Sequence, residues 1–215
     1  MGLKRIAVID YGMGNLRSVC AALVKLGAEA AVTADAAELA RADAVELPGV
    51  GAFGDAARAL AERGLFEPVR RAALAAADGG KPFLGVCLGL QLLFAASEEA
   101  PGVAGLGVLP GEVRRFPERS PDGARLKVPH MGWNQVELAR ANQLTAGLAG
   151  GERFYFVHSY YAAPERAEDL ALGCEYGGVR FAAMCARGNL FATQFHPEKS
   201  QARGLAMLGE FLKLL

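Results

Sequence analysis

The segment at residues 82–94, PFLGVCLGLQLLF, constrains the fold of this chain more than any other. Its apolar start predicts a buried strand that ends at Cys87, and a helix is expected over residues 88–96. Gly85 and Gly89, on either side of the cysteine, permit a turn tight enough to push the thiol out of the fold. A Gly-x-Cys-x-Gly between strand and helix predicts a nucleophile elbow, with sulfur in place of the usual serine oxygen.

The first half of the chain alternates short apolar runs with amphipathic helical stretches. Strands are predicted there at residues 6–9, 30–32, 44–47 and 82–86. This βαβα order predicts a parallel sheet covered by helices on both faces. The second half has strand-like runs and a closing helix, at residues 108–116, 133–136, 154–161, 170–176, 180–186, 190–195 and 200–215. We expect one α/β domain, residues 1–215, with a mixed, mostly parallel central sheet and flanking helices.

Composition excludes several classes of protein. Lys and Arg total 23, as do Asp and Glu, so the formal net charge is zero, and no basic stripe with aromatics suggests nucleic-acid binding. No apolar run reaches the length that spans a membrane. The four cysteines are widely spaced, which predicts neither a zinc site nor a disulfide framework. We therefore expect a reduced, cytoplasmic protein without metal or cofactor and with no nucleic-acid or membrane partner.

Glu46 fits the predicted sheet badly. It lies within the strand predicted at residues 44–47, which should be buried on both faces. An unpaired carboxylate there would cost several kcal/mol. Either this strand lies near an edge of the sheet or Glu46 has a partner. Because acids are rarely buried, a solvated edge position is the simpler expectation.

A thiol nucleophile needs a base, and His196 is the best placed of the three histidines. It lies at the end of an apolar strand, in the segment TQFHPEKS at residues 193–200. Pro197 disfavours helix for the residue before it, so in extended chain Glu198 can lie on the same side as the imidazole. A carboxylate at one ring nitrogen would leave the other nitrogen to serve the thiol. The sequence thus predicts a catalytic triad of Cys87, His196 and Glu198, against the alternatives of a core cysteine and a surface turn.

A second glycine-rich segment, GVGAFG at residues 49–54, matches the pattern of a dinucleotide-binding loop. It opens the third βα unit instead of the first, and the next strand ends at Cys87 and not at an acid that could bind a ribose hydroxyl. Such a loop can also bring backbone N–H groups close to a developing anion. If this loop lies beside the elbow, its backbone N–H groups would complete an oxyanion hole.

With these residues assembled, the chain resembles the class I (triad) glutamine amidotransferases. Within them it is most similar to the glutaminase subunits of imidazole glycerol phosphate synthase, which belong to histidine biosynthesis. The matching segments are DYGMGNLRS at 10–18, LPGVGAF at 47–53, GVCLGLQ at 85–91, PHMGWN at 129–134, YFVHSY at 155–160 and QFHPEKS at 194–200. Glu46 departs from the family, in which an aliphatic residue is expected.

The resemblance implies that Cys87 attacks the side-chain amide of L-glutamine, forms a thioester and releases ammonia. His196 would act as the base and Glu198 would orient it. The resemblance also assigns an oxyanion hole and a substrate site. The oxyanion would be held by the N–H groups of Gly51 and Leu88, and the glutamine by Gln91, Glu99, Ser159 and Tyr160.

Ammonia released into water would be protonated, so this class passes it directly to a synthase. The family's partner is a (β/α)₈ cyclase subunit, which forms a heterodimer with the glutaminase and uses the ammonia to make imidazole glycerol phosphate and an aminoimidazole ribotide. By resemblance, the interface is bordered by Met13, Asn15, Trp133 and Lys199. For Trp133, the one tryptophan, a sheet-packing role is an equal alternative.

Three alternative functions are weighed against a glutaminase of this synthase. The segments at residues 12–15 and 130–134 argue against a glutaminase that serves another synthase. A cysteine hydrolase of the α/β-hydrolase type would have its acid between nucleophile and histidine, whereas here Glu198 follows His196. A dinucleotide-binding module on residues 49–54 would lack its acidic residue.

Overall fold

The computed structural model describes residues 3–148 and 150–215. The strands are β1 (Arg5–Ile9), β2 (Glu29–Thr33), β3 (Ala44–Leu47), β4 (Phe83–Val86), β5 (Gly111–Arg115), β6 (His130–Leu138), β7 (Arg153–His158), β8 (Tyr160–Pro164), β9 (Leu170–Tyr176), β10 (Val179–Arg187) and β11 (Leu190–Thr193). The helices are α1 (Leu16–Lys25), α2 (Ala36–Arg41), α3 (Phe53–Glu62), α4 (Phe66–Ala77), α5 (Leu88–Leu92) and α6 (Gln201–Leu212).

One large sheet organises the part of the chain that the structure describes, with nine strands in the order β2-β1-β3-β4-β11-β10-β9-β6-β7. Strands β2 to β11 in this order pair in parallel, and β11 to β7 pair antiparallel. The first half of the chain builds the parallel part, and β11 returns beside β4 to join it to the antiparallel part. The predicted α/β fold with a mixed sheet and flanking helices is confirmed.

Two apolar layers cover the two faces of the sheet. One packs beneath α3, α4 and α5, and the other beneath α1 and α6. The central strands β3, β4 and β11 are buried along their whole length, as expected for strands with helices on both faces. No helix among residues 3–148 and 150–215 is both long and apolar enough to cross a membrane.

The strand predicted at residues 154–161 is interrupted. It divides into β7, which belongs to the large sheet, and β8, which pairs with β5 in a separate two-stranded sheet. Between them the carbonyl of Ser159 accepts a hydrogen bond from the N–H of Phe116, 3.1 Å away. Because β7 and β8 are both strand-like in sequence, the apolar pattern alone does not reveal the break.

The helix predicted at residues 88–96 is also shorter than expected, since α5 ends at Leu92. The chain beyond it turns extended, and Phe94 and Ser97 form bridges to Leu109 and Val113. These pairings satisfy backbone groups that a longer helix would have satisfied internally.

Glu46 does not lie at an edge, so the simpler expectation for it is wrong. Strand β3 runs between β1 and β4, and Glu46 is only 2% exposed. Its Oε2 atom is buried with no hydrogen-bond partner among the described residues. The expectation failed because the position of a strand in the sheet depends on pairing between distant segments, which local sequence does not specify.

Candidate active site

The elbow at Cys87 has the backbone geometry that its sequence predicts. Cys87 adopts φ 56° and ψ −104°, a strained conformation for a residue with a side chain. The flanking glycines are required by close packing: a Cβ on Gly89 would lie 2.0 Å from the carbonyl oxygen of Leu47. The N–H of Cys87 donates to the carbonyl of Thr193 at 2.7 Å, which ties the elbow to β11.

His196 and Glu198 reach the elbow from the end of β11. Nδ1 of His196 lies 2.8 Å from Oε1 of Glu198, and the two side chains are almost fully buried. The carboxylate arrives by a turn and not along extended chain, because Pro197 opens a 3₁₀ turn at Pro197–Lys199. Ser200 fixes this turn by donating its hydroxyl to the carbonyl of His196 at 2.7 Å.

The ionisation of His196 reflects opposing effects. Burial is the largest effect and lowers the pKa, but the interactions of the imidazole with Cys87 and Glu198 together outweigh it and raise the pKa to about 9. The Nε2 atom has no partner within hydrogen-bond geometry among the described residues. The imidazole and the thiol of Cys87 line the same cavity, close enough for their charges to interact.

A cavity of about 380 Å³ opens above the sulfur. Eight residues predicted as catalytic, oxyanion-binding or substrate-binding line it: Gly51, Cys87, Leu88, Gln91, Glu99, Ser159, Tyr160 and His196. Glu198 contacts the cavity only through His196. The described residues contain no group of three or more His, Cys, Asp or Glu side chains that could hold a metal ion.

The segment at residues 49–54 has no free helix terminus to offer a dinucleotide. The N–H of Phe53, the first residue of α3, donates to the Glu99 carboxylate at 2.7 Å. A negative side chain thus occupies the place where a pyrophosphate would bind. The loop is also held from below, because the hydroxyl of Tyr11 donates to the carbonyl of Pro48 at 2.9 Å. Its glycines serve close packing beside the elbow.

Comparison with known proteins decides the family. Residues 7–214 match the family model described as glutamine amidotransferase class-I. This chain belongs to the class I glutamine amidotransferases.

Curated relatives resemble the chain along nearly its full length. The imidazole glycerol phosphate synthase subunit HisH of Moorella thermoacetica is 52% identical over 99% of this chain and 96% of its own. The subunit of the same name from Geobacter sulfurreducens is 49% identical over 97% of this chain and 98% of its own.

Solved structures share the fold of this amidotransferase at low identity. The structure of PurLQS from Thermotoga maritima has a TM-score of 0.72 at 21% identity, covering 99% of each chain. A crystal structure of a glutamine amidotransferase has a TM-score of 0.71 at 21% identity, covering 98% of this chain and 99% of its own.

Gln194, which the sequence analysis missed, joins Gln91 in a network of amide side chains beside the sulfur of this amidotransferase. Nε2 of Gln91 donates to the carbonyl of Tyr160 at 2.9 Å and to Oε1 of Gln194 at 3.1 Å. Nε2 of Gln194 in turn lies 3.7 Å from Sγ of Cys87. Gln194 is fully buried, and its place two residues before His196 was the available signal.

Two further histidines form a hydrogen-bond chain beside the cavity. The carbonyl of Tyr160 accepts from Nδ1 of His158 at 2.7 Å, which leaves Nε2 of His158 to accept from Nδ1 of His130 at 3.0 Å. Nε2 of His130 then accepts from the side chain of Asn134 at 3.3 Å. Burial lowers the pKa of His130 to about 4 and that of His158 to about 3, so both are neutral. Unlike these two histidines, His196 has a carboxylate partner, Glu198.

The residues expected to border the partner are all partly accessible. Trp133 is 39% exposed and packs its edge against Tyr155, with ring centroids 6.2 Å apart. Met13 lies against the glycine-rich loop, since a Cβ on Gly51 would come within 2.6 Å of its methyl carbon. The remaining two lie at element ends: Asn15 caps α1 and Lys199 ends the 3₁₀ turn.

Proposed function

We propose that residues 1–215 form one glutaminase domain, the glutaminase subunit of an imidazole glycerol phosphate synthase. It would hydrolyse L-glutamine to glutamate and ammonia in the cytoplasm and pass the ammonia to a (β/α)₈ cyclase subunit. The observation that carries the chemistry is a strained elbow cysteine opposite a carboxylate-paired histidine at the floor of a cavity. The curated relatives named HisH support the choice of synthase.

The first half of the reaction forms a thioester. The sulfur of Cys87 bonds to the amide carbon of glutamine while its proton goes to Nε2 of His196. The carbonyl oxygen takes the negative charge, which the N–H groups of Leu88 and Gly51, two residues that line the cavity, would stabilise. His196 then protonates the departing nitrogen, the C–N bond breaks and ammonia leaves.

The second half frees the enzyme. His196 takes a proton from water, and the hydroxide bonds to the thioester carbon through a second oxyanion. Collapse of this intermediate breaks the C–S bond and releases glutamate. Glu198 holds Nδ1 of His196 throughout, so Nε2 stays directed at the reacting atoms and the imidazolium is stabilised.

Specificity for glutamine would come from polar groups on the cavity wall. Gln91, Glu99, Ser159 and Tyr160 all line the cavity. The carbonyl of Tyr160 already accepts from Gln91 and His158, so its position is fixed before a substrate binds. A preorganised wall reduces the ordering that binding requires.

The partner would dock on a face of the protein that carries exposed apolar side chains. Met131 and Trp133 are both substantially exposed and stand on the same side of β6, because their positions differ by two. Exposed apolar side chains grouped in this way mark contact surfaces. The family resemblance assigns Met13, Asn15 and Lys199 to the same interface.

The test is a reconstitution with the cyclase subunit from the same organism, supplied with amide-¹⁵N glutamine. We expect ¹⁵N in the imidazole product with the parent chain and none with Cys87→Ala. Free ammonium salt is the control, because the Cys87→Ala complex should still use it. Failure of the parent complex to use glutamine would contradict the proposal. Assembly with a different synthase and not with the cyclase would show that the proposed partner is wrong.

A further inference from the structure

Gln194 brings a buried amide to the sulfur of Cys87. It follows β11 directly and is fully buried, and it is not one of the residues that line the cavity, whereas Cys87 is. Nε2 of Gln194 lies 3.7 Å from Sγ of Cys87, which is within reach of a hydrogen bond to sulfur. The backbone N–H of Gln194 donates to the carbonyl of Ala183 on β10 at 2.8 Å, which fixes the main chain that carries the amide. The sulfur is thus in contact with the cavity and, separately, with a buried amide.

Neighbouring groups decide which end of this amide faces the sulfur. The carbonyl of Tyr160 can only accept, so the amide of Gln91 presents its Nε2 to it, at 2.9 Å. The same Nε2 lies 3.1 Å from the amide of Gln194, so the atom that faces it is the acceptor, Oε1. Nε2 of Gln194 is then the end directed at Sγ of Cys87. A chain of amides that starts from a backbone carbonyl therefore ends in a donor to the sulfur.

We propose that Gln194 is a further catalytic residue, which donates a hydrogen bond to the sulfur of Cys87 and stabilises its thiolate form. The inference rests on the proposed function, because it concerns the same nucleophile. When the thiol proton passes to Nε2 of His196, the negative charge left on sulfur lies beside the N–H of Gln194. When the C–S bond of the thioester later breaks, its electron pair returns to that sulfur beside the same donor, and His196 returns the proton.

The donor favours the charged sulfur over the neutral one. A thiol sulfur is a weak acceptor, whereas hydrogen bonds to charged groups are the stronger kind. Loss of the donor should lower the thiolate fraction about tenfold at a pH where the thiol is mostly protonated. The thiolate that remains should be about threefold more nucleophilic, because nucleophilicity rises with basicity with a slope of about 0.4–0.5. The two effects oppose each other near neutral pH, and the second acts alone once the thiol is fully ionised.

The experiment measures how fast Cys87 reacts with 4,4′-dithiodipyridine, a small neutral disulfide, in the full chain at about pH 7 and about pH 10.5. Acid-quenched samples are digested, and mass spectrometry reports the label on each cysteine. The parent is compared with Gln194→Met, which has similar length and no donor, and with Gln194→Leu as a second apolar variant. Gln143→Met, at an exposed glutamine outside the cavity, is the matched control.

The fold should accept the methionine, because the substitution leaves no buried donor without a partner. Nε2 of Gln91 loses Oε1 of Gln194 but keeps the carbonyl of Tyr160. Thermal melts of the variants check this point. Cys20, which is partly exposed on α1, is an internal reference whose labelling rate should be the same in every variant.

The expected result is a crossover of rates. At about pH 7, Cys87 should react about threefold more slowly in both Gln194 variants than in the parent, and at about pH 10.5 about threefold faster. Gln143→Met should coincide with the parent at both values. A change in packing or access alone would move the rate in the same direction at both pH values. Rates equal to the parent at about pH 7, or a change of the same sign at both, overturn the inference.

Glutamine kinetics in the complex with the cyclase separate this inference from the proposed function. Because Gln194 does not line the cavity, Gln194→Met should lower kcat about threefold and leave KM within about twofold of the parent. A kcat equal to that of the parent overturns the catalytic role of Gln194 and leaves the proposed function intact. Absence of glutamine hydrolysis by the parent complex, with the crossover of disulfide rates present, refutes the proposed function and leaves the donor to sulfur in place.

Discussion

Replacing Glu46 by leucine should stabilise the protein, and the gain should grow with pH. The pKa of Glu46 is raised from 4.5 to about 8 by burial and by Glu198. Between these values the folded state binds a proton that the unfolded state has lost. The free energy of unfolding therefore decreases as pH rises through this window. Below pH 4.5 the carboxyl is neutral in both states, and the penalty is absent.

The magnitude follows from the width of that window. Each pH unit is worth about 1.4 kcal/mol, so the interval from 4.5 to about 8 corresponds to about 5 kcal/mol. Glu46→Leu removes this loss and adds apolar contacts in a layer that is already hydrocarbon. At pH 9 the variant should be more stable than the parent by about 5 kcal/mol beyond the difference at pH 4.5.

Urea denaturation at pH 4.5 and pH 9 measures this difference. Other titrating groups are common to parent and variant and largely cancel in the comparison, and an unchanged m value would show that the denatured state is not altered. Glu29→Leu is the matched control and should show no comparable pH dependence, because its carboxylate is 52% exposed. An equal stability difference at both pH values would refute the reasoning.

Two further predictions concern the site and the elbow. Glu198→Gln should lower kcat/KM for glutamine about 10²- to 10⁴-fold, because an amide at Nδ1 of His196 no longer stabilises the imidazolium; steady-state kinetics of the complex would test it, and a loss below tenfold would contradict it. Gly89→Ala should destabilise the fold by at least about 2 kcal/mol, because its Cβ would lie 2.0 Å from the carbonyl oxygen of Leu47. Thermal melts would measure the loss, and Gly209→Ala, where a Cβ meets nothing within 4 Å, is the control.

Local sequence was sufficient for the features that depend on neighbouring residues. The elbow at Cys87 follows from glycines two positions away. His196 pairs with Glu198 as predicted, although Pro197 opens a 3₁₀ turn there and not the extended chain that the sequence argument expected. The βα order of the first half likewise fixed the parallel part of the sheet. In each of these cases the physical determinant lies within a few residues of the feature that it produces.

Features set by distant segments were not predictable in this way. The burial of Glu46 depends on β3 lying between β1 and β4, and the contact between Gln194 and Cys87 joins residues 107 positions apart. The length of α5 depends on bridges formed by the chain that follows it. The role of His158 beside the cavity also required the tertiary structure, because its hydrogen-bond partner His130 is on another strand.

The most direct test of the account is to trap the thioester on Cys87. The complex with its cyclase would be mixed with glutamine, quenched in acid during turnover and digested for mass spectrometry. We predict a γ-glutamyl adduct on the peptide that contains Cys87, absent without glutamine and absent from Cys87→Ala. Turnover of glutamine with no adduct on Cys87, together with undiminished hydrolysis by Cys87→Ala, would contradict the account.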